Sequence, residues 1–415
     1  MIDVLRQLEE YGVFHDAEWG PITAEDVVSG SVVVREPELK ESKPKILKSR
    51  RAWVAVAAGV ITLLFLGLLP FLISGQDSEP AEPVLPTGWI AFELQTRSVG
   101  PVEYADVFVV TPGGDPIQIS PQGAARWDHI CPLFSPDGSL IAYGARQGVD
   151  RFVAIGGFDS NSGSVTNLRR HVFEDGSFAP CPKAWSPDGS QLVVIDGSRS
   201  LVLDVDTFEV TQLPGTDLNR DSGVAWSPGG DLIVYTGGVR SSGVWLVAPD
   251  GESLEQVADV VDGITVSWSP DGSQFLVGSG LAVSSVFTRD GTPVMEVPGA
   301  FAIWSPDGKW IAYWGVESLG DDSFMSLGLW LISPTTREVI ELDTGSFVNP
   351  PFRVGRFGYP AWSSDSQHVL AHAEANIGAG AILAASVDPN QPPIVLSESS
   401  PDDHISGPLS WQPNR

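Results

Sequence analysis

The chain is 415 residues long and carries 52 acidic against 24 basic side chains, a net charge of −28. Residues 1–51 contribute only −2 of this, and no basic stripe of the kind that neutralises phosphates follows them, which excludes nucleic acid as a partner. Helix formers are scarce beyond residue 88, while the chain holds 44 glycines and 33 prolines; this composition excludes a helical domain there and favours short strands joined by many turns.

In chain order, Val4, Leu5, Leu8 and Tyr11 stand at helical spacing, and Thr23 ahead of Glu25 and Asp26 reads as a helix start. Residues 1–51 are expected to form a cytoplasmic segment, either a topogenic tail or a short contact for a cytoplasmic partner. Ala52 to Ile73 is a run of 22 residues without a charge, roughly 33 Å long as a helix and sufficient to cross a bilayer. Residues 52–74 are therefore predicted as one transmembrane helix, with Pro70 tolerable near its end. Lys43, Lys45, Lys48, Arg50 and Arg51 precede it, and Asp77, Glu79 and Glu82 follow. This asymmetry predicts a single-pass protein of the cell membrane, N-terminus in the cytoplasm and the rest of the chain outside. The polar leader is too long for a cleaved signal peptide. Residues 75–87, acidic and proline-rich, read as an extended spacer.

Residues 88–415 repeat. Trp185-Ser186-Pro187-Asp188-Gly189 recurs nearly unchanged from Phe134 to Gly138, from Trp268 to Gly272 and from Trp304 to Gly308. Weaker copies start at Trp226 and Trp362, and a truncated one at Trp411. The steps between the aromatics are 51, 41, 42, 36, 58 and 49 residues, a loose period of about 40 that marks a propeller or array. Pro suits the second position of a type I turn and Gly the positive φ that follows. Each copy is thus a hairpin turn between an apolar strand ending in the aromatic and a strand such as Leu192-Val193-Val194-Ile195. Trp89 to Phe92, Val107 to Val110 and Ile117 to Ile119 read as second, third and fourth strands with no first strand before them. The missing strand stands at Leu409 to Pro413, so the two ends are expected to complete one blade and close the ring.

The pattern of Trp-Ser-Pro-Asp-Gly followed by a strand like Trp310-Ile311-Ala312-Tyr313 resembles the TolB-like, WD-repeat-like bacterial β-propellers over residues 88 to 413. The resemblance implies an all-β propeller whose relatives mostly bind other molecules, and it implies six blades, whereas the count of aromatics gives seven. Seven four-stranded blades are expected, with six as the alternative.

In such blades the first-to-second and third-to-fourth turns fall on one face and are uniformly short here. The second-to-third loops and the connections between blades fall on the other, so irregular loops, where binding resides on a rigid scaffold, gather on one face. The largest of these connections are read as Arg169 to Asp175 with Phe178, and Phe347 to Tyr359. Arg169, Arg170, Phe173, Phe178, Phe352, Arg353, Arg356, Phe357 and Tyr359, with Trp127 before the second blade, are the candidate binding residues, because Arg interleaved with aromatics is enriched at protein interfaces. Asp321, Asp322 and Phe324 join the same face. The alternative is that these aromatics pack back on the rim. Cys131 and Cys181, the only cysteines, lie at the entries of consecutive first strands, and in an oxidising compartment they are expected to pair. Adding His129 gives a Cys-Cys-His alternative that lacks a fourth ligand. His368 and His372 share one strand face, a weak metal signal.

No nucleophile elbow, H-E-x-x-H pair, phosphate loop or EF-hand occurs, so neither metal, cofactor nor catalytic residue is assigned. The sequence reads as a membrane-anchored binding module for a protein, peptide or cell-envelope component, not an enzyme. Two alternatives stay open. One is a glycan hydrolase or lyase using carboxylates such as Asp128, Glu174, Asp175, Asp321 or Asp402; the other is a single-pass signalling receptor.

Overall fold

Each Ser-Pro-Asp-Gly segment closes on itself. The N–H of Gly189 donates to the carbonyl of Ser186 at 2.9 Å, and Gly189 takes φ +73°. The Ser186 hydroxyl donates to Asp188 Oδ1 at 2.6 Å, and the same oxygen accepts the Ser190 N–H at 3.0 Å. The turns at Ser135, Ser269 and Ser305 repeat this arrangement. These donors, the Ser186 hydroxyl first, hold the Asp188 carboxyl below its ordinary range, so the turn alone accounts for the aspartates. The computed structural model describes residues 86–99, 102–121, 127–174, 178–214, 222–237, 243–260, 263–279, 283–320, 323–344, 359–374, 380–398 and 404–413. The expected transmembrane segment Ala52 to Ile73 and the segments on either side of it, 1–51 and 75–85, lie outside the described residues, among which no helix is long and apolar enough to cross a membrane.

Among the described residues twenty-eight strands form seven antiparallel sheets of four, a seven-bladed β-propeller. Blade 1 contains β1 (Ile90–Val99), β2 (Val102–Val110) and β3 (Ile117–Gln118), with the last strand of the chain, β28 (His404–Trp411), on the free side of β1. Ile90 pairs with Trp411 and Leu94 with Ile405, so the C-terminal strand closes the ring. Blade 2 is β4 (Trp127–Phe134), β5 (Leu140–Gln147), β6 (Asp150–Asp159) and β7 (Ser164–Phe173). Blade 3 is β8 (Cys181–Trp185), β9 (Gln191–Asp196), β10 (Arg199–Asp204) and β11 (Val210–Gln212). Blade 4 is β12 (Val224–Trp226), β13 (Ile233–Thr236), β14 (Val244–Val247) and β15 (Leu254–Ala258). Blade 5 is β16 (Gly263–Trp268), β17 (Gln274–Ser279), β18 (Ser284–Thr288) and β19 (Pro293–Val297). Blade 6 is β20 (Ala300–Trp304), β21 (Ile311–Gly320), β22 (Ser323–Ile332) and β23 (Val339–Glu341). Blade 7 is β24 (Ala361–Trp362), β25 (His368–Glu374), β26 (Gly380–Ser386) and β27 (Ile394–Glu398).

First strands of neighbouring blades touch one another, β28 with β4, β4 with β8, β8 with β12 and on to β20, so they form the inner ring. Fourth strands carry the exposed positions and form the rim. The core lies between blades: Trp185 packs with Ala142, Val153, Leu192 and Leu203, and Trp268 with Val234, Leu246 and Phe275. Each such buried aromatic contributes about 2–3 kcal/mol by removal of apolar surface from water. The repeated indole also spans the junction. Trp185 Nε1 donates to Leu133 O at 3.3 Å, Trp268 to Ala225 O at 3.3 Å and Trp362 to Ile303 O at 3.4 Å, in each case the residue before the previous blade's aromatic.

At the closure the pattern is modified. Trp411 Nε1 donates to Thr87 O at 2.9 Å, and Gln412 Nε2 to Gly138 O at 2.8 Å. The alternation of strands puts the Ser-Pro-Asp-Gly turns and the third-to-fourth turns on one face, called the turn face, and the remaining loops on the opposite loop face.

Candidate functional site

Toward the loop face, first strands bend. The β4–β5 register shifts between Ile130 and Leu133, and Cys131 there takes φ +54°, a backbone state unusual outside glycine. The β8–β9 register shifts one residue after Cys181, between Pro182 and Ala184. Cys131 and Cys181 are joined by a disulfide with Cα atoms 5.5 Å apart, set in a small apolar cluster with Ala105, Ile130 and Ala179. The Cys131 N–H donates to the buried Glu93 carboxylate of β1.

Beside it, His129 Nδ1 lies 3.2 Å from Asp106 Oδ1, which also accepts the Ser120 hydroxyl at 3.3 Å. The Cys-Cys-His grouping is therefore not a metal site: both sulfurs are consumed by the bridge and the imidazole turns to a carboxylate of blade 1. Among the described residues no three His, Cys, Asp or Glu side chains converge to hold a metal.

The junction of blades 2 and 3 carries a second buried polar group. Arg151 is 2% exposed, and its guanidinium pairs with Asp196 of β9 while donating to the Phe178 carbonyl at 3.1 Å. Arg199 pairs with the other Asp196 oxygen from the surface. Two oxygens of one carboxylate thus receive two cations, which offsets the cost of removing Arg151 from water. The same bond holds the connection leading to β8 against blade 2. That connection passes so close to β5 that a Cβ on Gly144 would collide with the carbonyl of Pro180; glycine is required there by space.

Around this fixed connection, apolar side chains stand in solvent. Phe178 is 72% exposed, and Val149, at the tip of the β5–β6 turn, 92%. Val172, paired with Phe152 across β6 and β7, is 49% exposed. Phe178 is tied to Arg151, and Val149 lies two residues before that arginine, so these two stand at the loop-face end of blade 2. Apolar groups of this size at one edge are the usual mark of a contact surface.

One part of the expected surface has a different structure. Residues 169–173 are not an inter-blade loop; they are the second half of β7, the outer strand of blade 2. Arg169 donates to the carbonyls of Val205 at 2.8 Å and Asp206 at 3.1 Å and lies 5.0 Å over the Phe208 ring. Arg170 lies 5.4 Å over Phe152, and Phe173 is buried against blade 3. Strand pairing with β6 overrides the local reading, because Arg-Arg-His breaks the apolar alternation that would announce a strand.

Tyr359 is half-buried with its ring 5.6 Å from that of Phe301, and Trp127 begins β4. Phe352, Arg353, Arg356 and Phe357 lie outside the described residues. Of the carboxylates weighed for glycan chemistry, Asp128 accepts the Ala105 N–H at 3.4 Å and Glu174 is exposed; Asp175, Asp321 and Asp402 lie outside the described residues. His368 opens β25 and His372 follows four residues on, each buried, and four strand residues separate them by about 13 Å, too far to share a metal.

On the turn face, blades 4 and 5 leave an open groove of about 820 Å³ lined by Leu232, Leu254, Ser273, Arg289 and Asp290 among others. Arg289 pairs with Asp231 and lies 5.9 Å over the Trp268 ring. Its lining comes from two blades, so no contiguous motif signals it.

No family model and no curated protein matches this chain. Among solved structures it is similar to TolB from Acinetobacter baumannii, at 16% identity and TM-score 0.49 over 80% of this chain and 68% of that one. It is also similar to Kuenenia stuttgartiensis hydrazine synthase, at 17% identity and TM-score 0.46 over 64% and 79% of the two chains. The third is a putative TolB from Agrobacterium tumefaciens, at 16% identity and TM-score 0.42 over 60% and 95%.

Proposed function

We propose that the protein is a binding module, held at the outer side of the cell membrane by Ala52 to Ile73 and spaced from it by residues 75–87. The module takes a protein, peptide or envelope component through the loop face of its propeller. The observation that carries this reading is the exposed Phe178, on a connection pinned by Arg151, Asp196 and a disulfide, with the exposed Val149 on the β5–β6 turn beside it. Exposed apolar side chains on a rigid support bind without a large ordering cost. The disulfide suits an oxidising compartment, and the resemblance of the repeats to TolB-like propellers supports binding over catalysis. Phe352, Arg353, Arg356, Phe357 and Tyr359, from an Arg- and aromatic-rich segment, are proposed as further contacts.

The test is affinity capture from cell envelopes with the full chain in detergent. Wild type is expected to retain a partner that the Phe178→Ala/Val149→Ser variant releases at least tenfold faster, with unchanged melting temperature. Equal retention by the two would remove the assignment of this cluster. Anchoring is checked separately: a maleimide reagent that cannot cross membranes should label Ser253→Cys, at an exposed turn of blade 4, in intact cells and spare Ser42→Cys until the cells are opened.

A further inference from the structure

Six of the seven blades end in an outer strand of only 2–5 residues, whereas β7 has 10. Short outer strands are how propellers deny a template to foreign strands, and a long one leaves a row of backbone donors and acceptors facing outward. Among the described residues β7 is the terminal strand of its sheet and pairs with β6, with a bulge at Asn167–Leu168 that leaves Arg169–Phe173 as its continuous stretch beside the Leu168 side chain. Its two faces differ. Arg169, His171 and Phe173 point toward blade 3, where Phe208 and the Val205 and Asp206 carbonyls receive them. Leu168, Arg170 and Val172 lie on the side of blade 1, whose outer strand β3 has two residues. Leu168 is accordingly 45% exposed and Val172 49%. Residues 164–173 hold two arginines and a histidine and no acid, in a chain of net charge −28.

We propose that this edge of blade 2 captures an extended acidic peptide segment of a protein partner by β-strand addition. The added backbone bonds to the outer edge of β7; acidic side chains stand opposite Arg169 and Arg170, and small apolar ones opposite Leu168 and Val172. This deepens the binding-module reading above and rests on it. The chain's own spacer does not fit: Pro80, Pro83 and Pro86 remove every third N–H, which strand pairing does not tolerate. A second copy paired symmetrically about the arginines would set like charges opposite one another, a destabilising arrangement. Positive edge and negative segment are complementary, so binding should weaken steeply with salt.

The probe is a fluorescein-labelled peptide, Thr-Val-Thr-Glu-Glu-Val-Thr-Val, titrated by anisotropy into the full chain in detergent. Expected are saturable binding that weakens at least tenfold in Arg170→Glu/Val172→Glu, no change in Val294→Glu on the outer strand of blade 5, and loss when alternate peptide nitrogens are methylated or when Lys replaces Glu. Absence of binding to wild type, or equal binding of the methylated peptide, overturns strand addition, and the methylated arm does so without relying on any variant's folding. A dimer seen in sedimentation without peptide and abolished by Arg170→Glu/Val172→Glu overturns the peptide in favour of a second copy. Envelope capture run in parallel separates the two readings. A partner still held by Arg170→Glu/Val172→Glu while the peptide fails to bind sinks the edge alone, and no partner on wild type sinks the binding module itself.

Discussion

Between blades 2 and 3 the apolar packing of Trp185 against Ala142 and Val153 is joined by the buried Arg151–Asp196 pair and the Cys131–Cys181 bridge. Between blades 5 and 6 it is made by Leu276, Ala302, Trp304 and Tyr313, with hydroxyls supplying the buried polar links. Thr265 Oγ1 donates to Ala302 O at 3.1 Å and Ser267 Oγ accepts the Trp304 N–H at 3.0 Å. Among the described residues every buried Asp, Glu and Arg belongs to blades 1–3. Apolar contacts specify that two blades stick, at a separation that their side chains can adjust. An ion pair with bonds on both sides specifies one geometry, because leaving it leaves a charge unpaired in low dielectric. The directional chemistry is thus concentrated where Phe178, Val149 and β7 stand exposed, and the generic chemistry holds the remainder of the ring.

Removing the bridge should have the largest effect. With Cys131→Ala/Cys181→Ala the loss of a cross-link spanning 50 residues is expected to lower stability by about 4 kcal/mol on the chain-entropy account, measured by urea unfolding against wild type. A loss below about 1 kcal/mol would show that blades 2 and 3 are held without it. Next, Arg151→Met strands the Asp196 carboxylate with Arg199 alone and should cost about 3 kcal/mol, whereas Arg151→Met/Asp196→Leu should recover most of that. If the double variant is no better than the single, the pair contributes packing and not charge.

The apolar half is probed through its tightest approach. A Cβ on Gly278 would collide with Thr265 Oγ1 and come within 2.8 Å of the Ala302 nitrogen. Gly278→Ala should therefore cost about 2 kcal/mol by overpacking, and Gly278→Ala/Thr265→Ala less. Because apolar junctions relax, the effect should stay in blades 5 and 6, which hydrogen exchange resolves by blade.

Much of the ring was legible in the chain. Seven aromatics ahead of turn residues count seven blades, even where Ser364 and Ser366 stand in for Pro and Gly, Ser366 taking φ +58°, and the orphan strand at Leu409 has nowhere to pair except beside Ile90. The polar stitching was not. Glu93, Asp106, Arg151 and Asp196 stand singly in strands where polar residues normally face water, and their burial comes from the neighbouring blade. Asp106, alone between Ala105 and Val107 in an apolar strand, was the one available signal. The state of 169–173 was hidden for a related reason: β7 is a strand because β6 is long, and nothing within Arg169-Arg170-His171 says so. The cysteines were easier, since two equivalent entry positions on adjacent inner strands lie within reach of one another whatever the loops do.

The smallest expected effect comes from histidine titration, and it sharpens the contrast further. Burial lowers the pKa of His171, held between Phe173 and Phe208, and of His368, where Asp365 only partly compensates. In the unfolded chain both take up protons near pH 6.5. Below that pH the unfolded state therefore binds more protons than the folded one, and stability falls as pH drops through 6.5 toward the lowered folded values. The six histidines all lie before residue 172 or after residue 367, so blades 4–6 have none to titrate. Hydrogen exchange at pH 7.5 and 5.5, corrected for intrinsic rates, should show protection lost first in β7 and β25 and last in β16–β18. His368→Gln should remove the loss in β25 while leaving that in β7; a uniform loss across all seven blades in the variant would mean that acid acts on the ring through its carboxylates instead.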